Sequence, residues 1–223
     1  MLPNGSISPE IAFWEKNGLR HGEFPLPKAK DDAQTDLIHL TFNLESALLA
    51  IHLLIDGQEQ VLIYTRSNWK WYCKQQILID TDQLLESIRW VKKQQLCLVY
   101  TTGKIEYIEF SFTYNSSMTN FNHASKEHSG YVAFIDGPAI NLTPLGKFVM
   151  PPPMFEKQVS GLPSVPSCLS LYGNSGVAYC EAEDQICTFD CAPEKVVPVF
   201  YTLPLESGYR VTYLLNFGVK DNQ

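Results

Sequence analysis

Turn-forming pairs recur through this chain at short intervals, and they limit what it can fold into more than any other feature. Asp56-Gly57, Thr102-Gly103, Asp136-Gly137 and Asn174-Ser175-Gly176 each interrupt an apolar run. Gly, Asn and Asp accept the positive φ that tight hairpins demand. The runs between them are rich in β-branched and aromatic residues, the composition of strands. "DLIHLTFN", Asp36 to Asn43, alternates apolar and polar positions. "EQVLIYTRSNWKWYCKQQILI" reads as two strands broken at Ser67-Asn68. "ESIRWV", "QLCLVYTTGKIEYIEFSFTY", "GYVAFIDGPAINLTPL", "SCLSLYGNSGVAYCEAEDQICTFDC" and "YRVTYLLNFG" continue the texture. "ALLAIHLLI", Ala47 to Ile55, has a helix-like composition. Its alternating neighbour and the turn directly after it predict a fully buried central strand instead.

The strands that follow long connections begin near Asp36, Leu85, Ser167 and Arg210, at spacings of 49, 82 and 43 residues. If the middle spacing holds two units, the period is about 40 to 50, the size of a four-stranded propeller blade. Asp36 to Ile79 fits one such unit and Leu84 to Tyr114 fits three of its strands. The predicted fold is all-β: WD-repeat-like β-propeller blades, four-stranded antiparallel sheets forming a partial propeller or a small ring. Residues 1–223 are read as one propeller-type unit of about five blade-like repeats. Two stretches break the rhythm. "NSSMTNFNHASKEHSG", 115–130, is polar and reads as an exposed insertion loop, with His123 and His128 as stray residues. Pro151-Pro152-Pro153 donates no ladder hydrogen bonds and reads as a stiff connector.

Bulk properties exclude several functions. Apolar residues at 45% and charged residues at 18% describe a globular chain rather than a disordered one. A net charge of -7 argues against tracking a phosphate backbone, which needs clustered Lys and Arg. Arg66, Lys70 and Lys74 share parity and are the one local basic patch the sequence offers. The N-terminus lacks a basic region followed by an apolar one, so the chain reads as intracellular and no membrane partner is expected. The sequons at Asn4, Asn115 and Asn141 then read as accidental, and the six cysteines as reduced thiols. Cys180, Cys187 and Cys191 lie close together, yet no CxxC occurs and the histidines are distant, so no metal is expected. No dinucleotide, P-loop, zincin, hydrolase or EF-hand pattern occurs either, and no cofactor is expected.

One stretch invites an enzyme reading. "FWEKNGLRHGEFPLP", Phe13 to Pro27, offers Glu15, Arg20, His21 and Glu23 as acid, base and anchor. The competing reading is a strand, a two-residue Asn17-Gly18 hairpin turn and a second strand. Phe13 and Phe24 would then enter the core and the charges would face water.

Several strings, in order, resemble a known family. "IAFWEKNGLRHGEFPLP" resembles the "FFE+NGL.HG.F.LP" string of the largest subunit of the Elongator complex, the IKAP family, through Asn17, Gly18, His21 and Gly22. "RSNWKWYCKQQI" is similar to that family's "NYHWYLKQ" segment, through Asn68, Trp71, Tyr72, Lys74 and Gln75. "VAFIDGPAINLTPLGKFVMPPPM" is similar to its "VAVIDG…LLTPF…VVPPPM" segment, through Asp136, Gly137, Thr143, Pro144, Pro151, Pro152, Pro153 and Met154. The resemblance runs from about Ile11 to Cys191, and the tail beyond is only weakly similar.

The resemblance implies a segment of an N-terminal WD-repeat propeller region and a non-catalytic scaffold role. The complex modifies the wobble uridine of certain tRNAs through another subunit. Implied partners are the second WD-repeat subunit and the catalytic subunit, with tRNA met only indirectly. The family's helical repeats and basic segment have no counterpart here, so its dimerisation and tRNA contact are not carried over. Self-association through open propeller edges and a cytoplasmic, also nuclear, location complete the expectation. Two alternatives stay open: a propeller interaction module unrelated to tRNA modification, and an enzyme using Glu15, His21 and Glu23.

Overall fold

The computed structural model describes residues 10–27, 35–67, 69–111, 115–116, 130–145 and 155–204. Asn4, Asn68, most of the 115–130 loop with His123 and His128, Pro151, Pro152, Pro153, Met154 and the "YRVTYLLNFG" strand lie outside the described residues. The described residues form antiparallel strands and one short 3-10 turn, Glu181–Glu183.

The chain divides into two compact units, Met1–Trp71 with Ile77–Ser111, and Tyr72–Gln76 with Phe112–Gln223. The first unit opens with a hairpin of β1 (Glu10–Trp14) and β2 (Arg20–Pro25). A meander follows: β3 (Thr35–Phe42), β4 (Leu48–Ile55), β5 (Gln58–Ser67) and β6 (Lys70–Leu78), ordered β3-β4-β5-β6. A three-stranded sheet comes next, from β7 (Leu85–Lys92), β8 (Gln95–Tyr100) and β9 (Ile105–Glu109). In the second unit, β10 (Asn115–Ser116), β11 (Tyr131–Ile135), β12 (Ile140–Pro144) and β13 (Lys157–Val159) form one four-stranded sheet. β14 (Cys168–Tyr172), β15 (Ser175–Cys180), β16 (Gln185–Asp190) and β17 (Val199–Thr202) form another. Four-stranded antiparallel meanders in sequence order are propeller blades, and the fold is all-β of that type.

The helix-like composition of Ala47 to Ile55 yields to its context. β4 lies between β3 and β5 and is buried almost throughout. Leu48 and Ala50 point one way and join Val61 and Ile63 against Ile88, Trp90, Leu96 and Leu98 of the next sheet. Leu49, Ile51 and Leu53, on the opposite face, are also fully buried. A strand covered on both faces has no polar alternation to show, which is why periodicity alone cannot identify it. Each such leucine contributes about 1.5–3 kcal/mol by leaving water.

Polar side chains join the two sheets of the first unit. Asn43 Oδ1 accepts from the Ala47 and Leu48 amides at 2.9 and 3.0 Å, and its Nδ2 donates to the Lys93 carbonyl at 2.9 Å. Trp90 Nε1 donates to the Thr41 carbonyl at 3.1 Å. In the second unit, Ile140, Leu142 and Val159 pack with Leu169, Leu171, Ala178 and Phe189. Gly176 lies opposite Phe189, and a Cβ there would come within 2.1 Å of the ring. Any larger residue at 176 would force that ring to move.

Two turn expectations need correction. The Asn17-Gly18 turn is not a two-residue hairpin. Glu15 N donates to Leu19 O at 2.8 Å and Gly18 N to Glu15 O at 2.9 Å, with Gly18 at φ +83. The loop is therefore Lys16-Asn17-Gly18, a type I turn closed by a left-handed glycine. Asn17 stays at negative φ, and its Oδ1 accepts the Leu19 amide at 2.9 Å. The turn placed at Asn174-Ser175-Gly176 lies one residue earlier. Tyr172 pairs with Ser175, so Gly173 and Asn174 make the turn while Ser175 and Gly176 belong to β15. The Asp56-Gly57 turn is a two-residue hairpin as expected, with Ile55 facing Gln58.

Candidate functional site

The charges of the first hairpin separate into two exposed groups. Register places Phe13 opposite Gly22 and Trp14 opposite Arg20, so His21 is the extra residue of a β-bulge. Released from the ladder, His21 Nδ1 lies 3.2 Å from Glu15 Oε1, and both side chains are more than two-fifths exposed. Arg20 pairs with Glu10 at 2.5 Å and with Glu23, away from the His21 pair. The structure thus brings Glu15 to His21 and ties Glu23 to Arg20, without uniting the four. Water reaches both groups, so neither is desolvated as acid–base catalysis at neutral pH requires.

The aromatic residues of the same stretch serve packing. Phe13 stacks on Trp71 at 5.6 Å between ring centroids and lies 6.1 Å from Phe24. Phe42 and Tyr64 extend the cluster, at 5.7 Å from Trp71 and 4.7 Å from Phe24. Trp71 therefore anchors the hairpin on the β3–β6 sheet. Trp69, two residues earlier, is different: it is exposed, at φ +65, with His21 edge-on to its ring at 5.3 Å.

Tyr72, Asp136 and Gly137 meet in the second unit around Lys74. The Tyr72 and Phe134 rings contact edge to face at 5.7 Å. The Lys74 ammonium lies 5.2 and 4.9 Å from their centroids and donates to the Ile135 carbonyl. Gly137 N donates to the Cys73 carbonyl at 2.8 Å. Burial pulls the Lys74 amine down to about 8, although Asp136 holds it up. Burial also raises the Asp136 carboxyl, against the pull of Lys74, the Cys73 amide and Asn141. These residues join β6 to the β11–β12 turn. The expectation of an Arg66, Lys70 and Lys74 patch along one strand is corrected: Arg66 is on β5, and Lys74 is covered by two rings.

Sequence reasoning missed a buried histidine–glutamate pair. His52 Nε2 on β4 lies 3.2 Å from Glu59 Oε2 on β5, with His52 only 1% and Glu59 13% exposed. The same carboxylate oxygen accepts the Leu85 amide at 2.9 Å, where β7 begins. Burial lowers the His52 pKa, Glu59 opposes that shift, and His39, its cross-strand partner, adds to it. The signal was a polar residue inside "ALLAIHLLI", where every neighbour is apolar. Lys157, also missed, donates to the carbonyls of Cys191, Ala192 and Pro193, each at 3.0 Å.

Cys180, Cys187 and Cys191 pack inside the apolar core of the second unit. Burial pushes the Cys187 and Cys191 thiols up to about 12, so they behave as small apolar groups. Among the described residues, no group of three or more His, Cys, Asp or Glu side chains is placed to hold a metal ion. No described helix is long and apolar enough to cross a membrane.

Residues 4–93 match the model of the ELP1 first N-terminal β-propeller. Elongator complex protein 1 of Schizosaccharomyces pombe is 35% identical over 155 residues, covering 69% of this chain and 11% of that protein. Putative elongator complex protein 1 of Xenopus laevis is 33% identical, covering 65% of this chain and 12% of that protein. Elongator complex protein 1 of Mus musculus is 29% identical over 194 residues, covering 82% of this chain and 14% of that protein. The chain spans little more than a tenth of the length of these relatives. Residues 4–93 thus match the ELP1 first N-terminal β-propeller, and the chain is similar to part of Elongator complex protein 1.

Proposed function

We propose that this chain is a non-catalytic scaffold segment of the Elongator type, which supports tRNA wobble-uridine modification carried out by another subunit. One observation carries the reading: the family-string residues Gly18, Trp71, Tyr72 and Gly137 serve turns and packing. Gly18 closes a hairpin loop, Trp71 anchors that hairpin, and Tyr72 and Gly137 join β6 to the β11–β12 turn. A scaffold needs shape and contact surface, whereas an enzyme needs converging, desolvated acid–base groups. The net charge of -7 supports an indirect relation to tRNA. The second WD-repeat subunit and the catalytic subunit are the proposed partners, in the cytoplasm and nucleus. Two edge strands, β3 and β17, expose apolar side chains such as Ile38 and Tyr201, which supports self-association as a further contact.

The test is co-purification of the tagged chain, with bound proteins identified by mass spectrometry. The expected result is recovery of the second WD-repeat or the catalytic subunit. Recovery of neither would overturn the Elongator reading and favour an unrelated interaction module.

A further inference from the structure

Trp69 combines two properties that folding alone does not favour. Its backbone is at φ +65, a region that bulky residues avoid, and its side chain is 74% exposed. An indole ring gains little stability in water, so neither feature stabilises the first unit. Backbone strain of this kind costs about 1–3 kcal/mol and concentrates at functional sites. The ring is nevertheless held in place. The Arg66 guanidinium lies 4.5 Å from its centroid, and His21 meets it edge-on at 5.3 Å. His21 is itself held by Glu15 at 3.2 Å. The bulge that frees His21 from the ladder and the strain at Trp69 thus produce one feature: an exposed indole flanked by Arg66 and His21.

Charge narrows the ligand. Glu10 and Glu23 occupy Arg20. Among the described residues, no carboxylate forms an ion pair with Arg66 or with exposed Lys70. Arg66 and the indole beneath it match a carboxylate next to an apolar or aromatic side chain. They do not match a nucleic-acid strand, whose binding is built from many phosphate contacts. Trp and Arg are also the residues that most often dominate protein–protein contacts.

We propose that Trp69, with Arg66 and His21 against its ring and exposed Lys70 next in sequence, is the docking point for an acidic, aromatic-bearing segment of a partner protein. The proposal rests on the scaffold reading and gives it a location and a chemistry. A docked segment would place a carboxylate on Arg66 and an aromatic ring on the open face of the indole.

The test uses fluorescein-labelled poly(Glu,Tyr) as the probe, with poly-Glu and a 15-nucleotide single-stranded RNA for comparison, read by anisotropy at physiological salt. Poly(Glu,Tyr) is expected to bind at least tenfold more tightly than either. Trp69→Gly, which suits the positive φ, should weaken poly(Glu,Tyr) binding at least tenfold while leaving the melting temperature equal or higher. Arg66→Gln should weaken it several-fold. Tighter binding of the RNA, or unchanged poly(Glu,Tyr) binding by a folded Trp69→Gly chain, would overturn the proposal. If Trp69→Gly still co-purifies with Elongator subunits while the probe fails to bind, this site falls and the scaffold reading stands.

Discussion

Two histidine–glutamate pairs in the first unit have the same separation, 3.2 Å, and opposite character. His21 and Glu15 sit on a hairpin, both more than two-fifths exposed, within a stretch that looks like an active site in sequence. His52 and Glu59 are nearly closed to water and sit where the sequence shows only an apolar strand. Distance does not distinguish them; burial does. In water, a pair this close gains little because both ions are already well solvated. Away from water, each partner depends on the other, and the loss of one leaves an unsatisfied polar group. The pair that looked chemical is surface, and the pair that looked absent is a joint between two sheets.

The largest expected effect comes from breaking the buried pair. Glu59→Ala leaves both His52 and the Leu85 amide without their acceptor. It should cost about 3 kcal/mol in urea unfolding. Glu15→Ala should cost about 0.5 kcal/mol or less. Equal losses would break the comparison.

The pH dependence sharpens it. Burial lowers the folded-state pKa of His52 below 6.5, against Glu59, so folding favours the neutral ring. Above pH 6.5 the ring is neutral in both states and costs nothing. As pH falls from 6.5 towards the lowered folded value, the unfolded chain takes up the proton first, and stability falls by up to about 1.4 kcal/mol per pH unit. His52→Gln should flatten that part of the stability–pH curve. An unchanged slope would show that the imidazole is not penalised by burial.

Smaller effects belong to the hairpin. Gly18 is at φ +83 with open space around it, so Gly18→Ala should cost about 1 kcal/mol through backbone strain alone. His21→Asn should change stability by about 0.5 kcal/mol or less, because its pair and its Trp69 contact are both wet. Thermal melts of the two variants order these effects directly.

Much of this was legible in the sequence. Asp56-Gly57 marked a real two-residue hairpin, and the resemblance strings led to the right family. Local turn chemistry is written in neighbouring residues, so it can be read from them. Two kinds of information were not local. One was the role of His52, which depends on Glu59 seven residues later and on Leu85 in another sheet. The other was the difference between Arg66 and Lys74. They share parity, but a turn puts them on different strands and two rings cover Lys74. Exposed Trp69 lies within a family string, while its strained backbone has no sequence signature.

In the proposed scaffold role the charged hairpin performs no chemistry and any activity belongs to a partner. The purified chain is incubated with tRNA, S-adenosylmethionine and acetyl-CoA, alone and with the catalytic subunit, and the wobble nucleoside is measured by mass spectrometry. The scaffold role predicts no modified uridine from the chain alone, with or without Glu15→Gln and His21→Asn. Modified uridine made by the chain alone, and lost in that double variant, would contradict it.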